Sequence, residues 1–366
     1  MWIPDAQVAD AHGVPALRSL GQAFRDVGFT EDGTVRALSA ESPAELLSNA
    51  AFYAFCSTDR VDELVTSAAG VMVQLFVRNG DVAWTRYARV VPAPLRGLLG
   101  TLGLVSSDGD VVTSTVSVSP VRSMYFLSDQ LFRTGARIAM SRRSTVVMPP
   151  HASSFELLDN LGAVDGRLVD VGCGCGVLAL ALGARCSSVA GVDLNPRAVA
   201  YSRANALVNG VEAGFHVADL RSDLDIGGPA DHMLFNSPTG PGHHAEAEIG
   251  WMSAEDALKF VVAAAPKVLR PGGRAEVLLI LEVPEDRASA SELVRGWLPR
   301  EPGVAVTELR RSPLSISAGA VARGRIDPGC LLADDAQEAM RLIAHLRARR
   351  IREVVPALVA LTRPHA

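Results

Sequence analysis

Lysine is nearly absent from this 366-residue sequence, which has only Lys259 and Lys267 and otherwise uses Arg as its basic residue. The formal net charge is −5, and no stripe of basic residues stands out along the chain. Nucleic-acid binding requires several basic side chains that neutralise phosphates. The composition therefore argues against a nucleic-acid partner.

Long apolar runs are also lacking, since none approaches the roughly 20 residues that span a bilayer. The stretch Met1–Asp5 has neither the basic patch nor the apolar core of a signal peptide. Cysteine is scarce: five residues, of which Cys173, Cys175 and Cys186 lie close together, make no disulfide framework. We expect no metal at Cys173 and Cys175, because no matching His or Cys pair lies nearby. These absences predict a cytoplasmic protein without a membrane segment.

Residues 1–140 show helix patterns first and strand patterns afterwards. The predicted elements are helices at Val14–Val27, Ala44–Phe55 and Leu95–Val105 and strands at Val111–Val118 and Met124–Leu127. Helix, turn and β-ribbon in this order resemble a winged helix. The stretch holds eleven Arg against fourteen Asp and Glu, so it is poorly suited to bind DNA. We expect a mostly helical, winged-helix-like domain over 1–140 that serves as a lid or as a homodimer surface.

Residues 141–366 alternate strand and helix patterns, which is typical of an α/β fold with a parallel sheet. The predicted strands are Arg167–Val171, Ser188–Val192, Gly214–Val217, His232–Phe235 and Ala275–Leu281, and the predicted helices are Val177–Ala184, Pro196–Leu207 and Ala254–Leu269. Arg270–Gly273 is predicted to be a turn. Ligands of such sheets bind at the carboxyl ends of the strands, so we expect the chemistry there, in a catalytic domain that covers 141–366.

A glycine-rich loop, Gly172–Gly176, follows the first of these strands. Glycine permits a sharp turn and lets a ligand approach the backbone closely. A dinucleotide-binding loop would place a further glycine at Val177, and Asp170 would repel a pyrophosphate. S-adenosylmethionine carries a sulfonium and an ammonium and no phosphate, so the carboxylate of Asp170 favours this cofactor.

Two further carboxylates follow the next strands. Asp193 comes 23 residues after Asp170, where an acidic side chain can accept both ribose hydroxyls. Asp219 is placed to receive the exocyclic amine of adenine. The predicted cofactor-binding residues are Asp170, Gly172, Cys173, Gly174, Gly176, Asp193, Leu194, Asp219, Leu220 and Asn236. Together they predict an S-adenosylmethionine site.

The run Val192–Val199, with Asn205-Ala206 and Asn209-Gly210 after it, resembles class I S-adenosylmethionine-dependent methyltransferases of the small-domain superfamily. That group includes release-factor glutamine N5-methyltransferases and ribosomal-RNA guanine N2-methyltransferases. The resemblance covers residues from about 150 to about 283, and its motifs are specific in combination.

This resemblance implies a Rossmann-like sheet of seven strands whose last strand lies near the C-terminus. Val354–Leu361 suits that strand. Proline cannot donate a hydrogen bond to a neighbouring strand, so Pro356 predicts a bulge or an edge position.

The segment Phe235–Gly242 resembles the Asn-Pro-Pro-aromatic motif of methyltransferases that act on planar nitrogens. In that family the Asn carboxamide and the next backbone carbonyl accept hydrogen bonds from an N–H₂ group. This arrangement aims the nitrogen lone pair at the sulfonium methyl, so catalysis is mostly positioning. The resemblance implies that Asn236 aims the acceptor, with Ser237 and Pro238 beside it.

The motif departs from the family at Ser237 and Thr239, which replace a proline and the aromatic residue. A nucleobase acceptor is less favoured without that aromatic. His243 is a candidate general base, with a solvated loop histidine as the alternative. Trp251 is a candidate pocket wall, with core packing as the alternative. The predicted catalytic residues are Asn236, Ser237, Pro238 and His243, and the predicted substrate-binding residues are Thr239, His244, Trp251 and His151.

These features predict an enzyme that uses S-adenosylmethionine to N-methylate a small-molecule or peptide-like acceptor, as in natural-product biosynthesis. Alternatives are an N-methyltransferase of ribosomal RNA or protein glutamine, an O- or C-methyltransferase with a His base, and a winged-helix regulator that senses S-adenosylmethionine. Asn236 favours the enzyme, because a sensor needs no residue that aims a nitrogen.

Overall fold

The computed structural model describes residues 4–5, 10, 12–48, 53, 61–131, 146–219, 228–238, 253–287, 289–299, 303–311, 316–317 and 336–365. The chain forms two compact units that alternate along the sequence. The first unit contains Met1–Ala152, Gly174–Ala181 and Asn195–Phe215, and the second contains Ser153–Cys173, Leu182–Leu194 and His216–Ala366. Within these described ranges, no helix is long and apolar enough to cross a membrane.

The N-terminal part of the first unit is mainly helical. Its helices are α1 (Gly13–Asp26), α2 (Glu31–Leu38), α3 (Pro43–Ser48), α4 (Val61–Leu64), α5 (Ala68–Met72), α6 (Trp84–Val90) and α7 (Ala93–Thr101), with a π-helical turn at Val73–Val77. One face of α1 buries Leu17, Leu20 and Phe24, the spacing expected of an amphipathic helix. The helix predicted at Val14–Val27 is therefore confirmed. The helix predicted at Ala44–Phe55 begins as α3, and most of its second half lies outside the described residues.

Short strands follow these helices. β1 (Val82–Ala83), β2 (Val105–Asp108) and β3 (Val111–Ser114) form a sheet in the order β1-β3-β2, and β4 (Ser117–Val121) pairs with β5 (Met124–Ser128). The single strand predicted at Val111–Val118 is wrong, because the chain bends at Thr115 and Val116, which separate β3 from β4. The helix predicted at Leu95–Val105 ends early, since Gly103 adopts a left-handed conformation with φ +64°. The winged-helix-like arrangement stays a prediction.

The later part of the chain alternates helices and strands. Its helices are α8 (Ala152–Asn160), α9 (Val177–Leu182), α10 (Pro196–Asn209), α11 (Ala254–Val268), α12 (Ala290–Trp297) and α13 (Ala336–Ala348). Its strands are β6 (Arg167–Val171), β7 (Ser188–Asp193), β8 (Gly214–Val217), β9 (Ala230–Asn236), β10 (Leu269–Pro284), β11 (Ala305–Arg311), β12 (Ile316–Ser317) and β13 (Ile351–Thr362).

These strands build one sheet in the order β11-β13-β10-β9-β6-β7-β8, with β12 paired to β13. β9 runs parallel to β6 and β10, and β6 runs parallel to β7. β13 is antiparallel to β10 and β11. The sheet therefore has the α/β architecture that the sequence predicted, with seven strands in the main path and the two-residue β12 added.

The expected edge position of Pro356 is wrong, because β13 lies between β10 and β11. On one side Pro356 lies opposite Ile280 without a bulge at that pair. On the other side β11 ends opposite Ala357 and β12 begins opposite Val354. The residues that connect β11 to β12, 312–315, lie outside the described part of the chain.

The turn predicted at Arg270–Gly273 is part of β10 rather than a separate connection. Leu269 lies opposite Ala230, whereas Arg274 lies opposite His232. The segment between them therefore bulges out of the ladder, and Gly272 within it has φ +77°. The sequence pattern therefore predicts the local turn, but this turn interrupts a strand that pairs with β9 on both sides of it.

The core of the second unit lies between the central strands and α11. Val169, Met233, Val277 and Val359 from the sheet and Val261 from α11 are all fully buried in one apolar cluster. Strands buried in this way show continuous apolar sequences. This core holds the carboxyl ends of β6, β7 and β9 in fixed positions.

Candidate active site

The glycine loop begins in the second unit, directly after β6. Asp170, within β6, is 1% exposed. Gly172 has φ +63°, and an added Cβ there would lie 3.3 Å from the Phe235 ring. The backbone N–H of Cys173 donates to the carbonyl of Val192 at 3.0 Å. Neighbours on β9 and β7 thus hold the first half of the loop in place.

The second half of the loop belongs to the first unit. Gly174 has φ +55°, and an added Cβ there would meet no described atom within 4 Å. Gly176 has φ +84°, and an added Cβ would lie 3.0 Å from Oγ of Ser202. Gly176 therefore permits close packing against α10. The open space beside Gly174 leaves room for a ligand to approach the backbone.

Helix α10 supports this half of the loop through two buried side chains. Oγ of Ser202 donates to the carbonyl of Gly174 at 2.9 Å. Nδ2 of Asn205 donates to the carbonyl of Cys175 at 2.9 Å. The sequence drew attention to Asn205 through the family resemblance but assigned it no role. Ser202 was missed, because a small polar residue inside a helix gives no distinctive signal.

Asp193 is the last residue of β7, as predicted. Its backbone carbonyl accepts a hydrogen bond from the N–H of Ala218 at 3.0 Å. Leu194 follows and is 59% exposed, so it offers apolar surface next to Asp193 in the chain. Asp219 comes two residues after the end of β8 and is half-buried. These positions suit the proposed contacts with ribose and adenine, and the contacts themselves stay predictions.

Asn236 ends β9 and is held by the first turn of α8. Its Nδ2 donates to Oγ of Ser153 and to Oγ of Ser154, both at 3.1 Å. Oδ1 of Asn236 accepts no hydrogen bond from any residue in the described part of the chain. The two serines therefore fix the amide end of this side chain. The sequence pointed to His151, directly before this turn, but not to the contact of the two serines with Asn236.

Ser237 follows Asn236 and is buried. Its hydroxyl and its backbone N–H both donate to the carbonyl of Leu278 on β10. This contact anchors the chain directly after Asn236. The predicted catalytic roles of Ser237 and Pro238 stay predictions.

The other predicted site residues divide into two groups. His151 is half-buried directly before α8. Leu220, Thr239, His243, His244 and Trp251 lie outside the described residues. Among the residues that the structure does describe, no group of three His, Cys, Asp or Glu side chains is placed to hold a metal ion.

The chain matches known methyltransferases over its α/β region. The family model of the methyltransferase small domain matches residues 151–287. A ribosomal protein L11 methyltransferase of Vibrio cholerae serotype O1 is 32% identical over 157 residues, which are 42% of this chain and 46% of that protein. A protein of Methanocaldococcus jannaschii named as a protein N5-glutamine methyltransferase is 30% identical over 142 residues, which are 36% of this chain and 71% of that protein.

A solved structure, geranyl diphosphate C-methyltransferase from Streptomyces coelicolor A3(2) with Mg²⁺, geranyl diphosphate and S-adenosyl-L-homocysteine, aligns with a TM-score of 0.38 and 17% identity. The alignment covers 58% of this chain and 78% of that one. This chain spans about half the length of the ribosomal protein L11 methyltransferase of Vibrio cholerae. The sequence matches carry the family assignment, and S-adenosylmethionine is the cofactor of the family. The chain belongs to the small-domain family of S-adenosylmethionine-dependent methyltransferases.

Proposed function

We propose that this protein transfers the methyl group of S-adenosylmethionine to a planar nitrogen of a peptide-like or small-molecule acceptor. The orientation of Asn236 supports this proposal most strongly. Ser153 and Ser154 engage its Nδ2 atom, so Oδ1 is presented as an acceptor at the end of β9. An N–H₂ group donating to Oδ1 would be held with its nitrogen in a defined direction.

The chemistry needs orientation more than it needs a base. S-adenosylmethionine supplies an activated methyl group when bound: the new N–C bond replaces its S–C bond, S-adenosylhomocysteine is the leaving group, and one N–H proton is lost to water. Asn236 would hold the acceptor nitrogen by one N–H, which points its lone pair toward that methyl group. Ser153 and Ser154 would keep the carboxamide from rotating, and the anchor of Ser237 to Leu278 would keep the backbone in place. Good alignment of this kind is worth roughly 7–11 kcal/mol of a reaction barrier.

The residues for cofactor binding are those of the glycine loop and the strand ends. Asp170, Asp193 and Asp219 would supply carboxylates to the cationic groups, the ribose hydroxyls and the adenine amine respectively. The exposed side chain of Leu194 would pack against the adenine ring. The open space beside Gly174 supports this assignment.

Two relatives support the peptide-like class of acceptor. Their names state ribosomal protein L11 and protein glutamine as targets. A glutamine carboxamide is a planar N–H₂ group, which is the geometry that Oδ1 of Asn236 can engage. Residues 1–140, with more acidic than basic side chains, would cover such an acceptor or join two copies. A small acceptor of specialised metabolism with a planar amide remains within the same proposal.

The test combines an acceptor panel with one variant. We would supply tritiated S-adenosylmethionine with peptides that present Gln, Asn, His and Lys, with small planar amides and with ribosomal RNA fragments, and locate the methyl group by mass spectrometry. Asn236→Ala should lower kcat and kcat/KM together, by about 100-fold, and leave cofactor affinity within a few-fold. Lys259→Ala is the control, because Lys259 pairs with Glu255 on the surface of α11.

Three outcomes would count against the proposal. Methylation only of RNA would assign a different acceptor class. A methyl group on oxygen or carbon would refute the planar nitrogen. A wild-type rate for Asn236→Ala, together with an inactive His243→Ala, would indicate an acceptor that needs deprotonation by a base.

A further inference from the structure

Helix α10 presents three polar side chains to two different backbone segments. Ser202, Asn205 and Asn209 are three and four residues apart, which places them on neighbouring positions of one helix face. Ser202 and Asn205 are fully buried. Buried polar groups are costly without hydrogen-bond partners. Here backbone groups of the glycine loop and of β5 provide them.

Asn205 uses both amide hydrogens and the oxygen of its carboxamide. Oδ1 accepts from the backbone N–H of Leu127 at 2.8 Å, and Nδ2 donates to the carbonyl of the same residue at 3.0 Å. Nδ2 also donates to the carbonyl of Cys175 at 2.9 Å. Leu127 lies on β5 and Cys175 lies in the glycine loop. One side chain therefore connects the β4–β5 hairpin to the loop.

Asn209 makes the same pair of bonds to β5 but does not reach the loop. Oδ1 accepts from the N–H of Tyr125 at 2.8 Å, and Nδ2 donates to the carbonyl of Tyr125 at 2.7 Å. Four helix residues rise about 6 Å, and two strand residues span about 6.6 Å. The two asparagines can therefore pair with alternate residues of one strand. None of the described hydrogen bonds of Asn209 involves Gly174 or Cys175.

The outer edge of β5 is the side that these asparagines cover. Pro120 lies opposite Tyr125 in the β4–β5 hairpin and has no N–H to donate. In an antiparallel pair, the backbone groups of alternate residues face away from the partner strand. Tyr125 and Leu127 therefore direct their backbone N–H and carbonyl groups to α10. The asparagine side chains of α10 make the hydrogen bonds that a neighbouring strand would otherwise make.

We propose that Asn205, aided by Ser202, is a positioning residue for the cofactor loop and makes the conformation of that loop depend on the β4–β5 hairpin. The proposal rests on the proposed role of the loop in holding S-adenosylmethionine, and it does not depend on the acceptor. Ser202 and Asn205 turn two successive carbonyls, of Gly174 and Cys175, toward α10. Because a peptide unit is planar and trans, the following N–H groups then point away from α10.

The test is calorimetric titration of the full chain with S-adenosylmethionine, at a temperature where each variant is folded by circular dichroism. Asn205→Ala should weaken binding by about tenfold, because the Cys175 carbonyl loses the hydrogen bond from Asn205. Ser202→Ala should weaken binding several-fold, because the Gly174 carbonyl loses the hydrogen bond from the Ser202 hydroxyl. Asn209→Ala is the matched control: it also removes a pair of bonds to β5, so its unfolding temperature should fall as that of Asn205→Ala does. Its cofactor affinity should equal that of the wild type.

A purely structural role makes a different prediction. Asn205→Ala and Asn209→Ala would then both lower the unfolding temperature while both bind the cofactor like the wild type, and this result would overturn the proposal. If Asn205→Ala does not fold, Ser202→Ala decides, and wild-type affinity of that variant would also overturn it. A wild-type chain that does not bind S-adenosylmethionine would refute the proposed function itself, which is a distinct result.

Discussion

Arg197 connects the first turn of α10 to Asp129, which follows β5 in the chain. Nη2 of Arg197 lies 2.5 Å from Oδ1 of Asp129, and the two side chains are only 19% and 13% exposed. The same oxygen accepts from the Tyr201 hydroxyl at 2.9 Å, and Oδ2 accepts from the backbone N–H of Val147 at 2.9 Å. Burial and the Asp129 charge raise the pKa of Tyr201 above its ordinary value. One carboxylate thus accepts hydrogen bonds from three donors.

We expect Asp129→Ala to lower the free energy of unfolding by about 2–4 kcal/mol, because it removes the Asp129 carboxylate from a partly buried guanidinium and hydroxyl. Urea denaturation followed by circular dichroism measures the change. Glu255→Ala is the control, since it removes an exposed pair with Lys259 and should cost at most about 0.5 kcal/mol. Equal losses in the two variants would contradict a special role for Asp129.

The sheet could be predicted largely from the sequence, because buried parallel strands have continuous apolar sequences that end at polar residues such as Asp193 and Asn236. The division into compact units could not be predicted. The contacts of Asn205 and Asn209 with β5 join residues 78 and 84 positions apart, and no local pattern signals such pairing. The contact of Ser153 with Asn236 was found only by structure, since the two residues are 83 positions apart. The predicted domains, 1–140 and 141–366, stay predictions.

Gly21 in α1 tests the close approach between α1 and α10. An added Cβ at Gly21 would lie 2.6 Å from the carbonyl oxygen of Val208. Gly21→Ala should therefore destabilise the protein by about 1–3 kcal/mol despite the better helix propensity of Ala. Gly97→Ala in α7, where an added Cβ meets no described atom within 4 Å, should instead stabilise by roughly 0.5–1 kcal/mol. Thermal unfolding distinguishes them, and a stabilised Gly21→Ala would refute the close approach.

Glu276 on β10 should make stability depend on pH. Burial raises its pKa to about 7 from an ordinary 4.5, although the nearby Arg274 opposes the shift. The folded state therefore favours the protonated acid. The contribution of Glu276 to stability is present below about pH 4.5 and is lost as the pH rises through about 7. The free energy of unfolding of the wild type should fall by an amount on the order of 1–3 kcal/mol across that range, and Glu276→Gln should not show this fall.

The measurement is the urea midpoint of both proteins at pH 5 and pH 8. The hydrogen bond from Arg310 lowers the pKa of Glu308, so the contribution of that group to stability is lost only as the pH falls below its ordinary value of 4.5 and stays constant between pH 5 and pH 8. The same pH dependence in wild type and Glu276→Gln would show that Glu276 titrates normally.

Asp193 should contribute directly to cofactor affinity. Loss of charged hydrogen bonds to the ribose hydroxyls in Asp193→Ala should weaken S-adenosylmethionine binding by about 10–100-fold, from roughly 1.5–3 kcal/mol. Calorimetry measures this change. Glu212→Ala removes the same charge from an exposed residue and should bind normally. Unchanged affinity for Asp193→Ala would refute the proposed contact of Asp193 with the ribose hydroxyls.

The acidic N-terminal stretch should not bind duplex DNA tightly. Residues 1–140 carry eleven Arg against fourteen Asp and Glu, so few phosphates can be neutralised. Fluorescence anisotropy of the full chain with labelled duplex at about 50 mM salt should show no submicromolar complex. A tight complex that weakens steeply with added salt would reverse this expectation.

The way α10 covers β5 has a consequence for synthesis on the ribosome. The partner of Tyr125 emerges 84 residues later, which at about 5–20 residues per second is a delay of about 4–17 seconds. During that interval the nascent hairpin has an uncovered strand edge, a known template for unwanted association between chains. Translation speed between β5 and α10 would therefore influence the yield of native protein, and slow codons in this stretch would favour aggregation.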